Sequence, residues 1–386
     1  MPLFIGRDRE ARRAYGFDEV AIVPGECTLD PDEIDITTKI GDIELKIPFL
    51  ASAMDGVVDA KFSAAFSKLG GLAVLNLDGI HSRYENTDEI YKQIAEIPPA
   101  EATKFVQQLY RKPVKEELIA KKIKEIKKLK GIAAVSTVPQ NAAKYAKIVQ
   151  DAGADVFVIQ ATVLTTKFIS TKVKTLNLKK LIGELKIPVI LGNCVSYQTA
   201  LALMETGCAG LLVGIGPGSA CTTRGVLGIG VPQVTATIDC AAARDFYFKK
   251  TGRHVAVITD GGMNTGGDIC KAFVSGADAV MIGSAFAKAK EAPGYGYHWG
   301  MATPHQYLPR GTRIYVGTTG TLEQILMGPA NTDDGTQNIV GALRTCMGSV
   351  GAGNVKELQL VELIIAPDIK SEGKLYQKAQ KIGMGK

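Results

Sequence analysis

Tryptophan occurs once in this chain, aromatic residues make up only 6% of it, and no CxxC pair is present. No segment reaches the roughly 18 consecutive apolar residues of a membrane-spanning helix. The first residues, MPLFIGRDREARRAYGF, turn charged within seven positions, with no apolar stretch ahead of a small-residue cleavage site. These absences argue against a membrane protein and a secretory leader. The seven cysteines (27, 194, 208, 221, 240, 270 and 346) form no even framework, and several lie inside apolar runs. That usage fits a reducing compartment, so the expected location is cytoplasmic. The basic run KKIKEIKKLK, 121–130, has no interleaved aromatics. It reads as a solvated helix face rather than a nucleic-acid patch. The remaining charge bias, +6 from 45 basic and 39 acidic residues, is mild and favours steering of anionic small molecules.

What is present is a repeating apolar pattern. With 386 residues, 46% of them hydrophobic, the chain is long enough for one large core plus an appendage, or for two domains. Eight short apolar runs alternate with amphipathic stretches. They are IPFLASAM (47–54), GLAVLNL (71–77), GIAAVSTV (131–138), DVFVIQAT (155–162), IPVILGN (187–193), GLLVGIG (210–216), HVAVITDGG (254–262) and DAVMIGS (278–284). Continuous rather than alternating apolarity fits strands buried on both faces of a parallel sheet. Count and order predict a single (β/α)8 barrel, a TIM barrel, over 1–386; an open doubly wound sheet is the rival. Two segments exceed the repeat: 78–130, expected as a helical insertion after strand two, and the Gly-, Pro-, Thr- and Tyr-rich 289–345, expected as a mobile flap after strand eight.

Chemistry concentrates at the ends of the later runs. TDGGMNTGG puts Asp260 at a strand end before glycines whose amides can approach a ligand closely, and MIGS repeats the arrangement with Gly283 and Ser284. The loops after strands seven and eight of such barrels frequently bind phosphate, which leaves Asp260 to accept from ribose hydroxyls. The bland alternative is that these glycines only make tight turns. After strand six, GIGPGSACTTRGVLGIGVPQ holds Cys221 among glycines and hydroxyls. A loop cysteine taken alone is more often inert than catalytic. The glycines and the phosphate site on adjacent strands reverse that preference, because a thiolate is a strong nucleophile near neutral pH.

GIGPGSACTTR with GVPQ, DGG and MIGS at these spacings, together with YGFDEVAIVPG, ITTKI and IPFLASAMDGVVD near the N-terminus, strongly resembles the IMP dehydrogenase/GMP reductase family. The resemblance covers nearly the whole chain apart from 78–130 and the flap. It implies that Cys221 attacks purine C2 and that Thr223 handles protons there. It implies ribose and phosphate contacts from Ser219, Asp260, Gly262, Gly283 and Ser284. Base and nicotinamide pockets fall to Ser52, Met54, Asn193, Gly300 and Met301, and a possible K+ site to the carbonyls of Gly216, Gly218 and Cys221. It also implies a homotetramer or homo-octamer.

Departures set the expected direction. Segment 78–130 is too short for the paired CBS domains that many relatives carry there. Gln306 precedes Tyr307 where the dehydrogenases have a water-activating Arg-Tyr pair, and Arg310 replaces the flap carboxylate or amide. Gln160 replaces an aspartate for the cofactor ribose, which eases acceptance of NADP. The expectation is therefore an NADPH-dependent GMP reductase, with an NAD-dependent IMP dehydrogenase as the alternative and a non-catalytic purine-nucleotide sensor as the third reading. Glu323 is a candidate replacement for the lost carboxylate, although a helix-surface role is the favoured reading of it, and Arg310 and Arg313 are the candidates for activating water.

Overall fold

The computed structural model describes residues 3–171, 175–303, 305, 308 and 310–383. Eight parallel strands close into a barrel in chain order: β1 (Phe49–Ala51), β2 (Leu72–Asn76), β3 (Ala134–Thr137), β4 (Val156–Gln160), β5 (Val189–Cys194), β6 (Gly210–Val213), β7 (Ala256–Asp260) and β8 (Ala279–Ile282). Each coincides with one of the apolar runs read from sequence, β5 running one residue past its end. Closure leaves no sheet edge, which rules out the open-sheet alternative. Leu50, Leu72, Val74, Val156, Val158, Ile190, Leu212, Ile258 and Met281 fill the interior, so the barrel is a packed core, not a channel.

The helices follow from amphipathic spacing and local caps. In α5 (Pro139–Asp151), proline occupies the first turn and Ala142, Tyr145, Ala146 and Val149 form one buried face. Ser196 caps α7 (Tyr197–Met204), and Thr265 with Asp268 forms a capping box on α10 (Gly266–Val274). One device was not legible in the apolar pattern. A hairpin pairing Thr38–Ile40 with Ile43–Leu45 carries Ile40 and Leu45 into the barrel-interior cluster, and so plugs its N-terminal end.

The segment between β2 and β3 has two parts. Helix α4 (Glu116–Lys128), which contains most of the basic run, packs between α1 (Ala60–Lys68) and α5 as the crossover helix of that unit. Its Leu118, Ile119, Ile123 and Ile126 are buried while the lysines face outward. Helices α2 (Asp88–Glu96) and α3 (Pro99–Leu109) are the true insertion. They form a third apolar cluster in which Tyr91, Ile94, Val106 and Tyr110 surround Trp299, only 1% exposed.

Much of 289–345 is regular. Tyr297–Trp299 pairs antiparallel with Arg313–Tyr315, and α12 (Leu322–Leu326) and α13 (Ile339–Ser349) follow. Trp299 Nε1 donates to the Tyr110 hydroxyl, which donates to buried Asp55 at the top of β1. The single tryptophan thus ties ribbon, insertion and barrel together. Among the described residues no helix is long and apolar enough to cross a membrane, and all seven cysteines are free thiols.

Candidate active site

A cavity of about 410 Å³ opens at the C-terminal ends of the strands. Its wall is assembled from distant parts of the chain. Ser52 and Met54 follow β1, Gln160 ends β4, and Asn193 lies in β5. Gly216, Gly218, Ser219, Cys221 and Thr223 come from the β6 loop, Asp260 and Gly262 from β7, Gly283 and Ser284 from β8, and Gly300 and Met301 from the ribbon. The structure brings all of these sequence candidates into this one cavity.

The β6 loop turns on short local bonds. The Cys221 N–H donates to the Gly218 carbonyl at 3.0 Å, and the exposed Cys221 thiol lies 3.2 Å from Thr223 Oγ1, at the start of α8 (Thr223–Leu227). Thiol and hydroxyl are therefore paired inside the cavity. Gly214 shows why glycine is required here. It adopts φ +146°, and a Cβ there would sit 2.5 Å from the Asp260 carbonyl, so the β6 and β7 ends touch only without a side chain. At the opposite wall, a Cβ on Gly283 would come within 2.8 Å of Met54 Sδ, which brings the β8 end against β1.

Asp260 accepts from Asn193 Nδ2 at 2.7 Å. Burial raises its carboxyl to about 6, and the Asn193 hydrogen bond offsets only part of that rise. Ser219 and Ser284 share a 2.7 Å hydrogen bond across the β6 and β8 loops. Arg310 enters the wall from the ribbon side, with Nη1 3.0 Å from Met301 Sδ and its carbonyl accepting from Gln107 of α3. Burial lowers the Arg310 guanidinium below its ordinary range.

Two residues of this site were not singled out from sequence. Gln233, which begins α9 (Gln233–Thr251), is 3% exposed, and its Nε2 donates to the carbonyls of Val213, Asp260 and Gly261 at 3.1, 3.0 and 3.3 Å. It fastens the β6 end to the β7 end. His298, 1% exposed, places Nε2 3.2 Å from Ser284 Oγ. The glutamine of GVPQ was one available signal; an isolated histidine beside the tryptophan offered none.

The candidates for the missing flap groups separate clearly. Glu323 is exposed on α12 and does not line the cavity. Arg313 is committed elsewhere, donating to the carbonyls of Ile94 and Ile97 and lying over the Tyr297 ring. Gln306 and Tyr307 lie outside the described residues. Among the described residues, Asp260 is the only carboxylate in the cavity wall and Arg310 its only arginine, and no His/Cys/Asp/Glu cluster suited to a metal ion occurs.

The IMP dehydrogenase/GMP reductase domain matches residues 14–368. The chain belongs to the IMP dehydrogenase/GMP reductase family. An uncharacterized oxidoreductase of Mycolicibacterium smegmatis is 38% identical over 94% of this chain and 99% of its own length. The inosine-5'-monophosphate dehydrogenase of Cryptosporidium parvum is 30% identical over 89% of each chain. The crystal structure of an IMP dehydrogenase/GMP reductase-like protein from Corynebacterium glutamicum superimposes with a TM-score of 0.89 at 37% identity, covering 95% of this chain and 98% of that one. The protein is thus an oxidoreductase of a family that uses nicotinamide cofactors and binds purine nucleoside monophosphates. Relatives of that family with CBS domains carry them after strand two, where this chain has only α2–α4.

Proposed function

We propose that this protein oxidises IMP to XMP through a covalent adduct on Cys221. The observation that carries the direction is the charge inventory of the cavity: among the described residues Arg310 lines it, and its one carboxylate is Asp260, held by Asn193. Reductive deamination of GMP, the direction favoured by the sequence of the flap, needs an acid to protonate the departing amine. Thr223, beside Cys221, is the hydroxyl that the reductase reading has for this, and Glu323, the candidate for the lost carboxylate, faces solvent. Dehydrogenation needs the reverse, a group that orients and polarises water. Arg310, the arginine of the cavity wall among the described residues, is placed to do that as a cation. Its cationic form also complements xanthine, which is more acidic than hypoxanthine or guanine. The named IMP dehydrogenases among the relatives support the same direction.

In this reading the Cys221 thiolate adds to C2 of IMP, and the hydride bound to C2 departs. Water oriented by Arg310 then adds to the resulting thioimidate, releases a proton to solvent, and expels the thiolate. The overall balance is IMP, oxidised nicotinamide and water giving XMP, reduced nicotinamide and a proton. A bound NAD supplies the hydride acceptor. Gln160 and Asn193 provide neutral amides, and Met54 and Met301 provide apolar wall beside them, a set that fits a nicotinamide ring and its ribose. GMP reductase with NADPH is the second reading, favoured by the Gln306-Tyr307 sequence. The carbonyls of Gly216, Gly218 and Cys221 are oxygen donors of the kind a K+ ion takes, and no step above runs through such an ion. Assembly as a homotetramer or homo-octamer is part of the same proposal.

The test is a pair of incubations. IMP with NAD is expected to yield XMP and reduced nicotinamide, whereas ammonia released from GMP with NADPH, and no XMP from IMP, would reverse the direction. Arg310→Gln is expected to keep an initial burst of about one reduced nicotinamide per site and to slow the hydrolysis that follows.

A further inference from the structure

His298 lies at the phosphate-binding end proposed for this cavity, and the hydrogen bonds around it have only one sense that leaves no buried donor unmet. The imidazole is 1% exposed, its Nδ1 is buried without a hydrogen-bond partner, and its Nε2 lies 3.2 Å from Ser284 Oγ. A neutral imidazole carries one N–H. With the proton on Nδ1, a dry site would hold an orphan donor, the rarer and costlier kind of unmet group. With the proton on Nε2, the ring donates to Ser284. Burial lowers the imidazole to about 4 and no charged neighbour contributes, so the neutral form prevails at neutral pH. Asp260 and Arg310 are the charged groups elsewhere in the same cavity wall.

We propose that His298 is a positioning residue that fixes the donor sense of the serine pair, so that the pair offers protons, not lone pairs, to an anionic group. The chain runs from His298 Nε2–H to Ser284 Oγ, from the Ser284 hydroxyl to Ser219 Oγ at 2.7 Å, and from the exposed Ser219 hydroxyl into the cavity. Because Ser284 already accepts from the imidazole, its own hydrogen points away from the ring. When a phosphate enters, both serine hydroxyls turn onto its oxygens as charge-assisted donors. A neutral hydroxyl at this end accepts the same protons without the charge assistance a phosphate brings. This rests on the reading of the β7–β8 end as the phosphate site, and it adds that discrimination between nucleotide and nucleoside depends on a histidine that need not touch the ligand.

The experiment is calorimetric titration of IMP and of inosine into the wild type, His298→Phe, His298→Gln, Ser284→Ala and the His298→Phe/Ser284→Ala double variant. His298→Phe is expected to weaken IMP about tenfold while leaving inosine unchanged. His298→Gln, whose amide N–H can reach the same serine, is expected to recover most of that loss. The double variant is expected to bind IMP no worse than Ser284→Ala alone, since a residue that acts through Ser284 has nothing to add once the hydroxyl is gone. Equal loss for inosine, additive losses in the double variant, or no loss in His298→Phe would overturn the proposal. Nitrogen-15 NMR of wild-type histidine keeps the question open to test even where a variant unfolds: the Nδ1–H form for His298 overturns it and the Nε2–H form supports it. A wild type that binds IMP and inosine equally would instead sink the phosphate-site reading itself.

Discussion

Asp260 and Asp278 lie on adjacent parts of the same barrel, one at the C-terminal end of β7 and the other just before β8, and their surroundings push them in opposite directions. Burial presses both carboxyls upward. At Asp278 the hydrogen bond from His254 and the charges of Arg244 and Lys356 overcome it and hold the group well below the carboxylate range. Arg244 Nη1 and Lys356 Nζ stand 2.9 and 2.5 Å from its oxygens, and the Val257 N–H donates at 2.8 Å. At Asp260 the one side-chain partner is the Asn193 amide, and the carboxyl rises to about 6. The bottom of the barrel saturates its buried charge. The top leaves one unsaturated, which suits the ligand-accepting role proposed for Asp260. The two carboxyls thus stand at opposite ends of neighbouring strands.

The most severe test of this division is Cys221→Ser. It is expected to lower turnover by about three orders of magnitude or more, because an alcohol is a far poorer nucleophile. Thermal stability should be unchanged, since the thiol is exposed and its one side-chain bond is to Thr223. Turnover close to wild type, followed by nicotinamide absorbance, would remove the covalent mechanism.

Asp278→Asn should act the opposite way. Breaking a buried charge cluster costs about 3–5 kcal/mol, read by guanidinium denaturation, with nucleotide affinity retained in the folded fraction. Because the folded-state value of Asp278 is depressed, its contribution is present above the unfolded value of 3.8 and is lost as pH falls below it.

Asp260→Asn is expected to leave stability at pH 7 unchanged or slightly higher. The folded-state value is raised, so ionised Asp260 costs stability above about 6, and protonation returns it as pH falls from there toward 3.8. Nucleotide affinity should drop roughly tenfold through loss of charge-assisted acceptance. In the wild type, kcat/KM should fall as pH drops through about 6, and that limb should vanish in the variant. A limb that persists in Asp260→Asn would assign it to another group.

The smallest effect is expected at Trp299→Phe, which keeps the aromatic packing but removes the bond to Tyr110. A loss of about 1 kcal/mol, with KM raised more than stability is lowered, would show that the ribbon is positioned through α3.

The barrel was legible because each strand is a continuous apolar run and the long crossover helices carry buried stripes, some with a side-chain cap or an N-terminal proline, signals that are local in the chain. Cys221, Asp260, Gly283 and Ser284 were legible for a related reason: a loop that exposes reactive groups needs glycine beside them, and glycine is visible in sequence. The plug of Ile40 and Leu45, the clamp at Gln233 and the cluster around Trp299 were not, because each acts through partners distant in the chain and is carried by residue types found in any core. The segment 78–130 illustrates both cases. Its helices followed from periodicity, but only packing distinguished α4, a wall of the barrel, from α2 and α3, which brace the ribbon.

By itself the sequence determined the repeating unit, the polarity of the strands, the reactive loop and the family resemblance, all of which reside in short-range patterns. Tertiary structure decided the rest. It put Arg310 in the cavity wall and left Glu323 in solvent, it turned His298 toward Ser284, and it surrounded Asp278 with cations while giving Asp260 a single amide. Protonation and hydrogen-bond sense depend on desolvation and on the nearest charges, and in a closed barrel those neighbours come from strands, loops and helices that the linear sequence holds far apart.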